Sequence, residues 1–242
     1  MTRARTTAIV RDLAGGLLPL LAVTGAVWWR LGVPWSGVAS SVAMYGALGI
    51  LILRHAPRDL PGHGLGPANR VTLRRAGLVL PVAALAMQPA ARTDDGLWWI
   101  IGLSTLAMLL DGLDGWVART TGSASAFGAR FDMELDAFLL LSLSILTWRS
   151  GKVGAWVVLV GALRYLFVAA GWLWPPLRGE LPARLRRKMI CVVQGIALLV
   201  CLGPVIPPGV ATASALAALA SLIYSFGVDT WWLVRATARD IG

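Results

Sequence analysis

The stretch DGLDGWVARTTGSASAFGARFDMELD, residues 111–136, places four aspartates in two pairs around a turn of small residues. Hydrophobic segments flank it on both sides. An aspartate near the hydrocarbon core of a membrane costs roughly 2.5–3.5 kcal/mol on insertion scales, so such residues usually line a polar cavity. The four carboxylates therefore indicate a site for a cation or a reacting group.

The composition of the whole chain is that of a polytopic membrane protein. Of 242 residues, 57% are hydrophobic and only 14% are charged, and the mean hydropathy is +0.71. A helix needs about 20 mostly apolar residues to cross roughly 30 Å of hydrocarbon. Such stretches occur at about 14–33, 36–53, 73–90, 97–118, 131–148, 153–174, 189–206 and 209–234. We predict an all-α, multi-pass integral membrane protein of about eight transmembrane helices.

One connection divides these spans. The loop RHAPRDLPGHGLGPANR, residues 54–70, is rich in proline and glycine, which break regular structure. It predicts an N-terminal pair of transmembrane helices over residues 1–60 and a six-helix core over residues 61–242. Residues 69–75 are expected to form a short interfacial helix that leads into the third span.

The distribution of basic residues predicts the orientation. With eight crossings and a cytoplasmic N-terminus, most of the 22 lysines and arginines fall in cytoplasmic loops, as the positive-inside rule requires. Both termini and the aspartate turn are then cytoplasmic. The net charge of +10 is spread over juxtamembrane loops, where anionic lipid headgroups are the expected partner and nucleic acid is not.

Helical spacing brings the aspartates together in pairs. Asp111 and Asp114 share one helix face, and Asp132 and Asp136 share another. Carboxylate oxygens select hard cations such as Mg²⁺ or Mn²⁺. Two such ions, roughly 3.5–4 Å apart, can clamp a diphosphate during displacement at phosphorus. A remaining carboxylate can accept the proton of an incoming hydroxyl.

The stretch also matches a known signature at eight positions. These are Asp111, Asp114, Gly115, Ala118, Arg119, Gly128, Asp132 and Asp136. Their spacing resembles the signature of the CDP-alcohol phosphotransferase family, and the hydrophobic pattern from about residue 67 resembles the family's six-helix core. The two leading helices are not part of that core.

The resemblance implies a transferase of phospholipid biosynthesis. Such an enzyme moves a phosphatidyl group from a CDP-linked donor, usually CDP-diacylglycerol, to an acceptor hydroxyl and releases CMP. It implies a site with two Mg²⁺ or Mn²⁺ ions, and a homodimer. Asp111, Asp114 and Asp132 would be metal ligands. Asp132 and Asp136 are the predicted catalytic residues, and Asp136 would complete the second metal site or act as the base.

The resemblance also implies a nucleotide pocket next to the aspartates. Its residues would be Gly115, Ala118, Arg119 and Gly128. Asn69 and Thr72, within PANRVTLRR, resemble the stretch that precedes the family's first core helix. These two residues are expected to contact the nucleotide, and helix-start chemistry is the alternative for both.

The acceptor is indicated by basic residues further along the chain. Arg164 resembles an arginine in the acceptor pocket of family members that make phosphatidylglycerol phosphate, although Tyr165 stands where those enzymes carry glutamate. Arg187 and Lys188 belong to a nearby basic cluster. This charge favours glycerol 3-phosphate or another anionic alcohol. The alternatives are an ion pair between Arg164 and Asp229, and binding of lipid phosphates by the cluster.

Two other interpretations of the aspartates are open. They could cap helix ends and pair with Arg119 and Arg130 in a solvated loop, with no ligand. The chain could also be an ion-coupled membrane transporter, whose intramembrane aspartates relay Na⁺ or H⁺, or a catalytically inactive member of the family.

Overall fold

The computed structural model describes residues 3–57, 60, 64–178 and 185–240. Over these residues the chain forms eight α-helices, three short 3₁₀ segments and no strand. The helices are α1 (Arg3–Leu31), α2 (Trp35–His55), α3 (Pro67–Leu85), α4 (Asp94–Thr120), α5 (Ala126–Arg149), α6 (Val158–Leu173), α7 (Leu185–Leu202) and α8 (Pro208–Asp240). The predicted all-α architecture is confirmed.

Five helical stretches in the described part of the chain are long and apolar enough to cross a membrane. They are Ala4–Leu31, Trp35–His55, Asp94–Thr120, Ala155–Leu173 and Pro208–Arg235. The other three predicted spans coincide with helices α3, α5 and α7. α3 and α5 carry the arginines and acidic residues of the aspartate region, which lowers their hydropathy. Residues 69–75 belong to the first turns of α3 itself, because its helix begins at Pro67.

The chain forms two compact units, which divide inside α5 between residues 139 and 140. These units describe how the helices pack. The predicted division at residue 60, between accessory helices and a core, concerns function and stays a prediction.

In the first unit, α3 is the central helix. It packs against α1, α2 and α4, and most of its residues are buried. Small residues allow this close approach, as is common between membrane helices. A Cβ atom at Gly77 would lie 2.9 Å from the backbone nitrogen of Leu20, and one at Gly16 would lie 2.8 Å from Leu73. The Tyr45 hydroxyl of α2 donates to the Leu13 carbonyl of α1 at 2.7 Å.

In the second unit, polar side chains connect neighbouring helices and the segments that follow them. The Gln194 amide of α7 is fully buried and donates to the Ala218 carbonyl of α8 at 3.0 Å. The Lys152 ammonium donates to the Gly203 carbonyl at 2.5 Å. Gly161 of α6 lies directly against the backbone of Leu141, so a larger residue does not fit there. These contacts set which faces of the apolar helices pack together, because small residues allow close approach and polar side chains form hydrogen bonds between segments.

Candidate active site

The turn between α4 and α5 sets the position of the aspartates. Gly122 has a φ of 62°, a left-handed conformation that glycine adopts without strain. The amide of Ser123 donates to the Ala118 carbonyl at 3.1 Å, which closes the end of α4. The Ser125 hydroxyl then accepts from the Gly128 amide at 3.0 Å and caps the start of α5. The turn therefore reverses the chain within a few residues.

Three of the four aspartates form one cluster. Asp111 of α4 and Asp132 and Asp136 of α5 each offer a carboxylate oxygen, and these atoms lie within 4.8 Å of one another. Their side chains are 13%, 33% and 25% exposed, respectively. The predicted convergence of the two helices is thus present for these three residues. Asp114 lies on α4, but its side chain is outside the described part of the structure.

The cluster contains a cation that sequence reasoning missed. Arg75 of α3 is 1% exposed, and its Nη1 lies 2.6 Å from Oδ1 of Asp132 and 3.1 Å from Oδ1 of Asp111. Its Nη2 pairs with Oδ1 of Asp136. The planar guanidinium can bridge several carboxylates because its donors form a fixed fork. The sequence did contain a signal for Arg75. It follows Asn69 and Thr72 at a spacing of three residues, which places it near the same face of α3.

This pairing bears on the alternative in which the aspartates cap helix ends in a solvated loop and hold no ligand. Arg75 pairs with all three aspartates of the cluster. The alternative named Arg119 and Arg130, and both of these are exposed. The carboxylates therefore line a partly buried site that three helices build, which a solvated helix cap does not require.

The cluster fits a divalent cation by charge and by donor type. Three carboxylates around one guanidinium leave two negative charges in excess. Close carboxylates repel one another at low dielectric, and a cation between them removes that cost. All the donors are oxygen atoms, which suit Mg²⁺ or Mn²⁺. Asp111, Asp132 and Asp136 could therefore hold a metal ion.

Two predicted nucleotide-binding residues contact each other beside the cluster. A Cβ atom at Gly128 would collide with Oδ1 of Asn69, so glycine permits the start of α5 to reach α3. Asn69 is 2% exposed and donates to the Leu65 carbonyl at 2.7 Å. Thr72 is 3% exposed and donates to the Ala68 carbonyl at 3.3 Å. Both residues thus have local helix bonds, and their contact with a nucleotide stays a prediction.

The remaining motif residues lie on the last turns of α4. A Cβ atom at Gly115 would lie 3.3 Å from Nη1 of Arg119, so the arginine folds back over the glycine. Arg119 is exposed and Ala118 is half-buried. Any residue with a side chain at position 115 would crowd this guanidinium.

The predicted acceptor residues belong to the second unit. Arg164 is half-buried in α6, and Lys188 is exposed near the start of α7. Arg187 also lies in α7, but its side chain is outside the described part of the structure. Their role stays a prediction, and so does the alternative pairing of Arg164 with Asp229.

The fold and the site together define a multi-pass helical membrane protein with an acidic, partly buried cluster that could hold a metal ion. Comparison with known proteins names the class. The sequence model of the CDP-alcohol phosphatidyltransferase family matches residues 65–235, so the chain belongs to this family.

Curated relatives carry a more specific name. The chain is 34% identical over 182 residues to a protein named probable phosphatidylglycerophosphate synthase from Mycobacterium tuberculosis strain CDC 1551 / Oshkosh, covering 72% of this chain and 83% of that protein. The protein of the same name from strain ATCC 25618 / H37Rv matches with the same identity and coverage. No solved structure matches the chain significantly.

The family assignment fixes the reaction class. The protein is a transferase of substituted phosphate groups that carries out phosphatidyl transfer in phospholipid synthesis. The family implies a CDP-alcohol donor, an alcohol acceptor and a membrane setting. These findings favour the enzyme over the ion-coupled transporter.

Proposed function

We propose that this enzyme transfers the phosphatidyl group of CDP-diacylglycerol to the hydroxyl of glycerol 3-phosphate and releases CMP. The observation that carries this proposal is the cluster of Asp111, Asp132 and Asp136 around Arg75 at the centre of the family motif. Glycerol 3-phosphate is favoured because both mycobacterial relatives are named for phosphatidylglycerophosphate. Another anionic alcohol remains the second choice.

The transfer exchanges one bond to phosphorus for another. The acceptor oxygen forms a bond to the phosphorus that carries diacylglycerol, while the bond from that phosphorus to the bridging oxygen of CMP breaks. The proton of the acceptor hydroxyl goes to a carboxylate, for which we assign Asp136. Its side chain is 25% exposed, so a hydroxyl can reach it from the open side of the cluster.

The metal-binding role is assigned to the four aspartates of the motif. Asp111, Asp114, Asp132 and Asp136 would hold Mg²⁺ or Mn²⁺, in a site for two ions. Bound there, divalent ions neutralise the charge of the diphosphate and of the departing CMP. Asp132 and Asp136 follow one another on α5 at a spacing of four residues, so both carboxylates face the donor together.

Arg75 would hold this site in shape. Its guanidinium contacts carboxylates from both α4 and α5, and it is fully buried. It therefore offsets part of the repulsion among the aspartates before any ligand arrives. We infer that Arg75 is a positioning residue, because it pairs with the carboxylates of the cluster and its burial keeps it from the open side of the site.

The nucleotide would lie along the small residues near the turn. Gly115, Ala118 and Gly128 leave room next to the backbone, and Arg119 supplies an exposed guanidinium for a phosphate oxygen. Asn69 and Thr72 lie on the neighbouring face of α3. Their polar atoms complete the proposed pocket.

The acceptor phosphate is assigned to Arg164, with Arg187 and Lys188 as further basic residues. Replacing Arg164 by alanine should raise the KM for the acceptor by about tenfold or more, since a hydrogen bond to a charged group contributes about 1.5–3 kcal/mol. The KM for CDP-diacylglycerol should change little. Steady-state kinetics with each substrate varied in turn measures both, and equal effects would remove Arg164 from the acceptor pocket.

The remaining assignments follow from the sequence. We propose that residues 61–242 form the catalytic core and residues 1–60 an accessory pair of helices. Both termini and the aspartate site are proposed to face the cytoplasm, because basic residues are concentrated in those loops. A homodimer, which the family resemblance implies, is proposed on that ground alone.

The experiment that tests the function is CMP release by the purified, detergent-solubilised protein. CDP-diacylglycerol and Mg²⁺ or Mn²⁺ are supplied with glycerol 3-phosphate, inositol, inositol phosphate, serine or phosphatidylglycerol in turn. We expect release with glycerol 3-phosphate, and none after chelation by EDTA. Release with a different acceptor would overturn the assigned substrate. A failure with every acceptor, together with no thermal stabilisation by CDP or CMP, would overturn the enzyme proposal itself.

A further inference from the structure

A second charged region of the first unit lies outside the aspartate site. A cavity of about 180 Å³ opens between α1 and α3. It is lined by Arg11, Asp12, Gly15 and Gly16 of α1 and by Arg70 and Arg74 of α3. Residue 65 is the first that the family match covers, so the α1 wall of this cavity belongs to the N-terminal segment of this chain.

Among the described residues that line the cavity, the single carboxylate is that of Asp12, and its oxygens are already engaged. Asp12 is 7% exposed, and its Oδ1 lies 2.9 Å from Nε of Arg70. Its Oδ2 accepts a hydrogen bond from the Leu65 amide at 2.9 Å. Gly64 and Gly66 flank this amide with φ values of 71° and 81°, which lets the chain wrap around the carboxylate before α3 begins. Asp12 thus holds the segment before α3 in place and neutralises the charge of Arg70.

Two arginines of the cavity keep their charge available. Arg11 and Arg74 are exposed, and among the described residues neither has a carboxylate partner. The cavity therefore carries an excess of positive charge on two helices that Asp12 and Arg70 hold together. Guanidinium groups on two sides of a cavity suit a phosphate, because each can donate two parallel hydrogen bonds.

The cavity also has the space that a phosphate needs. Its volume of about 180 Å³ is far above the roughly 10–15 Å³ that holds one water molecule. A Cβ atom at Gly15 would meet nothing within 4 Å, whereas one at Gly16 would collide with Leu73 and Tyr45. Gly16 therefore serves the packing of α1, while Gly15 leaves the cavity open.

We propose that this cavity binds the phosphate group of an anionic ligand, with Arg11 and Arg74 as its main donors. The ligand is the headgroup of an anionic lipid or a soluble phosphate ester. Anionic headgroups lie at the height of juxtamembrane arginines and attract them. The site shares no residue with the aspartate cluster, so it does not depend on the proposed function.

Binding is tested on the full-length protein in neutral detergent with EDTA and without a CDP-linked donor. The first arm measures thermal stabilisation by inorganic phosphate against chloride at equal ionic strength. The second measures binding of phosphatidic acid against phosphatidylcholine by native mass spectrometry. The variants are the double substitution Arg11→Gln with Arg74→Gln, and Gly15→Phe, which fills the cavity and keeps its charge. Arg54→Gln, an exposed arginine in the last turn of α2, is the matched control.

We expect the double variant and Gly15→Phe each to weaken binding by about tenfold or more, since a charge-assisted hydrogen bond contributes about 1.5–3 kcal/mol. Arg54→Gln should bind like the wild type. Stabilisation in the first arm identifies a soluble phosphate, and binding in the second arm alone identifies a lipid headgroup. Binding in neither arm, or equal binding by all variants, overturns the proposal. CMP release, measured separately on the same preparation, tests the proposed function on its own.

Discussion

Two charged clusters on α3 have opposite compositions. The acidic cluster joins one arginine to three carboxylates, namely Arg75 with Asp111, Asp132 and Asp136. The cavity cluster joins one carboxylate to three arginines, namely Asp12 with Arg11, Arg70 and Arg74. Each contains ion pairs, so the presence of an ion pair says nothing about the ligand. The sign of the excess charge does indicate the ligand, and it favours a cation in the acidic cluster and an anion in the cavity cluster.

The arginines of the two clusters also differ in burial, and this difference predicts how each responds to mutation. Arg75 is 1% exposed, whereas Arg11 and Arg74 are exposed to solvent. Removing one partner of a buried ion pair leaves an uncompensated charge at low dielectric, while an exposed charge is screened by water. Substitution of Arg75 should therefore affect stability more strongly than substitution of Arg11 or Arg74.

Replacing Arg75 by methionine should have the largest effect. Without divalent ions, the free energy of unfolding should fall by about 3–5 kcal/mol, because three carboxylates lose their common partner. Mg²⁺ or Mn²⁺ should stabilise this variant more than the wild type. Thermal unfolding in detergent, with EDTA and with each ion, measures both effects.

Two variants control this experiment. Arg75→Lys keeps the charge without the planar fork and should fall between the wild type and Arg75→Met. Arg74→Met changes the exposed neighbouring residue and should shift the stability by no more than about 0.5 kcal/mol. Equal losses in Arg74→Met and Arg75→Met would contradict the proposed difference between the clusters.

Replacing Asp132 by asparagine should act on catalysis more than on folding. CMP release should drop by about a hundredfold or more, as is typical when one electrostatic group is removed from a reaction site. Asp12→Asn removes the carboxylate of the other cluster and should leave most of the release intact. The comparison uses the initial rates of CMP release and the size-exclusion profiles of both variants. If Asp132→Asn aggregated while Asp12→Asn stayed folded, Asp132 would be structural.

Replacing Gly128 by alanine should have a smaller effect. The added methyl group would collide with Asn69 and lie 3.1 Å from the Ser125 hydroxyl, which separates the start of α5 from α3. Such overpacking costs typically about 1–3 kcal/mol. Gly102→Ala is the matched control, since a Cβ atom there would meet nothing within 4 Å. Unfolding temperatures of the two variants measure the cost, and equal values would show that the contact with Asn69 is dispensable.

Much of the fold could be predicted because membrane helices follow from hydropathy and length. All eight predicted spans coincide with helices of the described chain. Charge and helical spacing, together with the family resemblance, also predicted that Asp111, Asp132 and Asp136 converge. Helix ends were less accurate, as for α1, which begins at Arg3 instead of near residue 14. A hydropathy pattern locates the apolar segment, and backbone hydrogen bonds continue into polar residues beyond it.

Arg75 and the cavity could not be predicted in the same way. In the sequence, Arg74 and Arg75 are adjacent basic residues of the predicted interfacial helix, and only the spacing of three residues from Asn69 and Thr72 sets Arg75 apart. On α3 they occupy different faces, so Arg75 is buried among carboxylates and Arg74 is exposed in the cavity. Similarly, Asp12 and Arg70 are 58 positions apart, and nothing local pairs them.

The sequence by itself determined the helices, the acidic motif and the reaction class, because apolar length, helical period and motif spacing are local properties of the chain. Only the tertiary structure decided which charges meet. The packing of α1, α4 and α5 around α3 placed one arginine among three carboxylates and one carboxylate among three arginines. Long-range contacts of this kind depend on how helix faces turn toward one another, which a linear pattern does not specify.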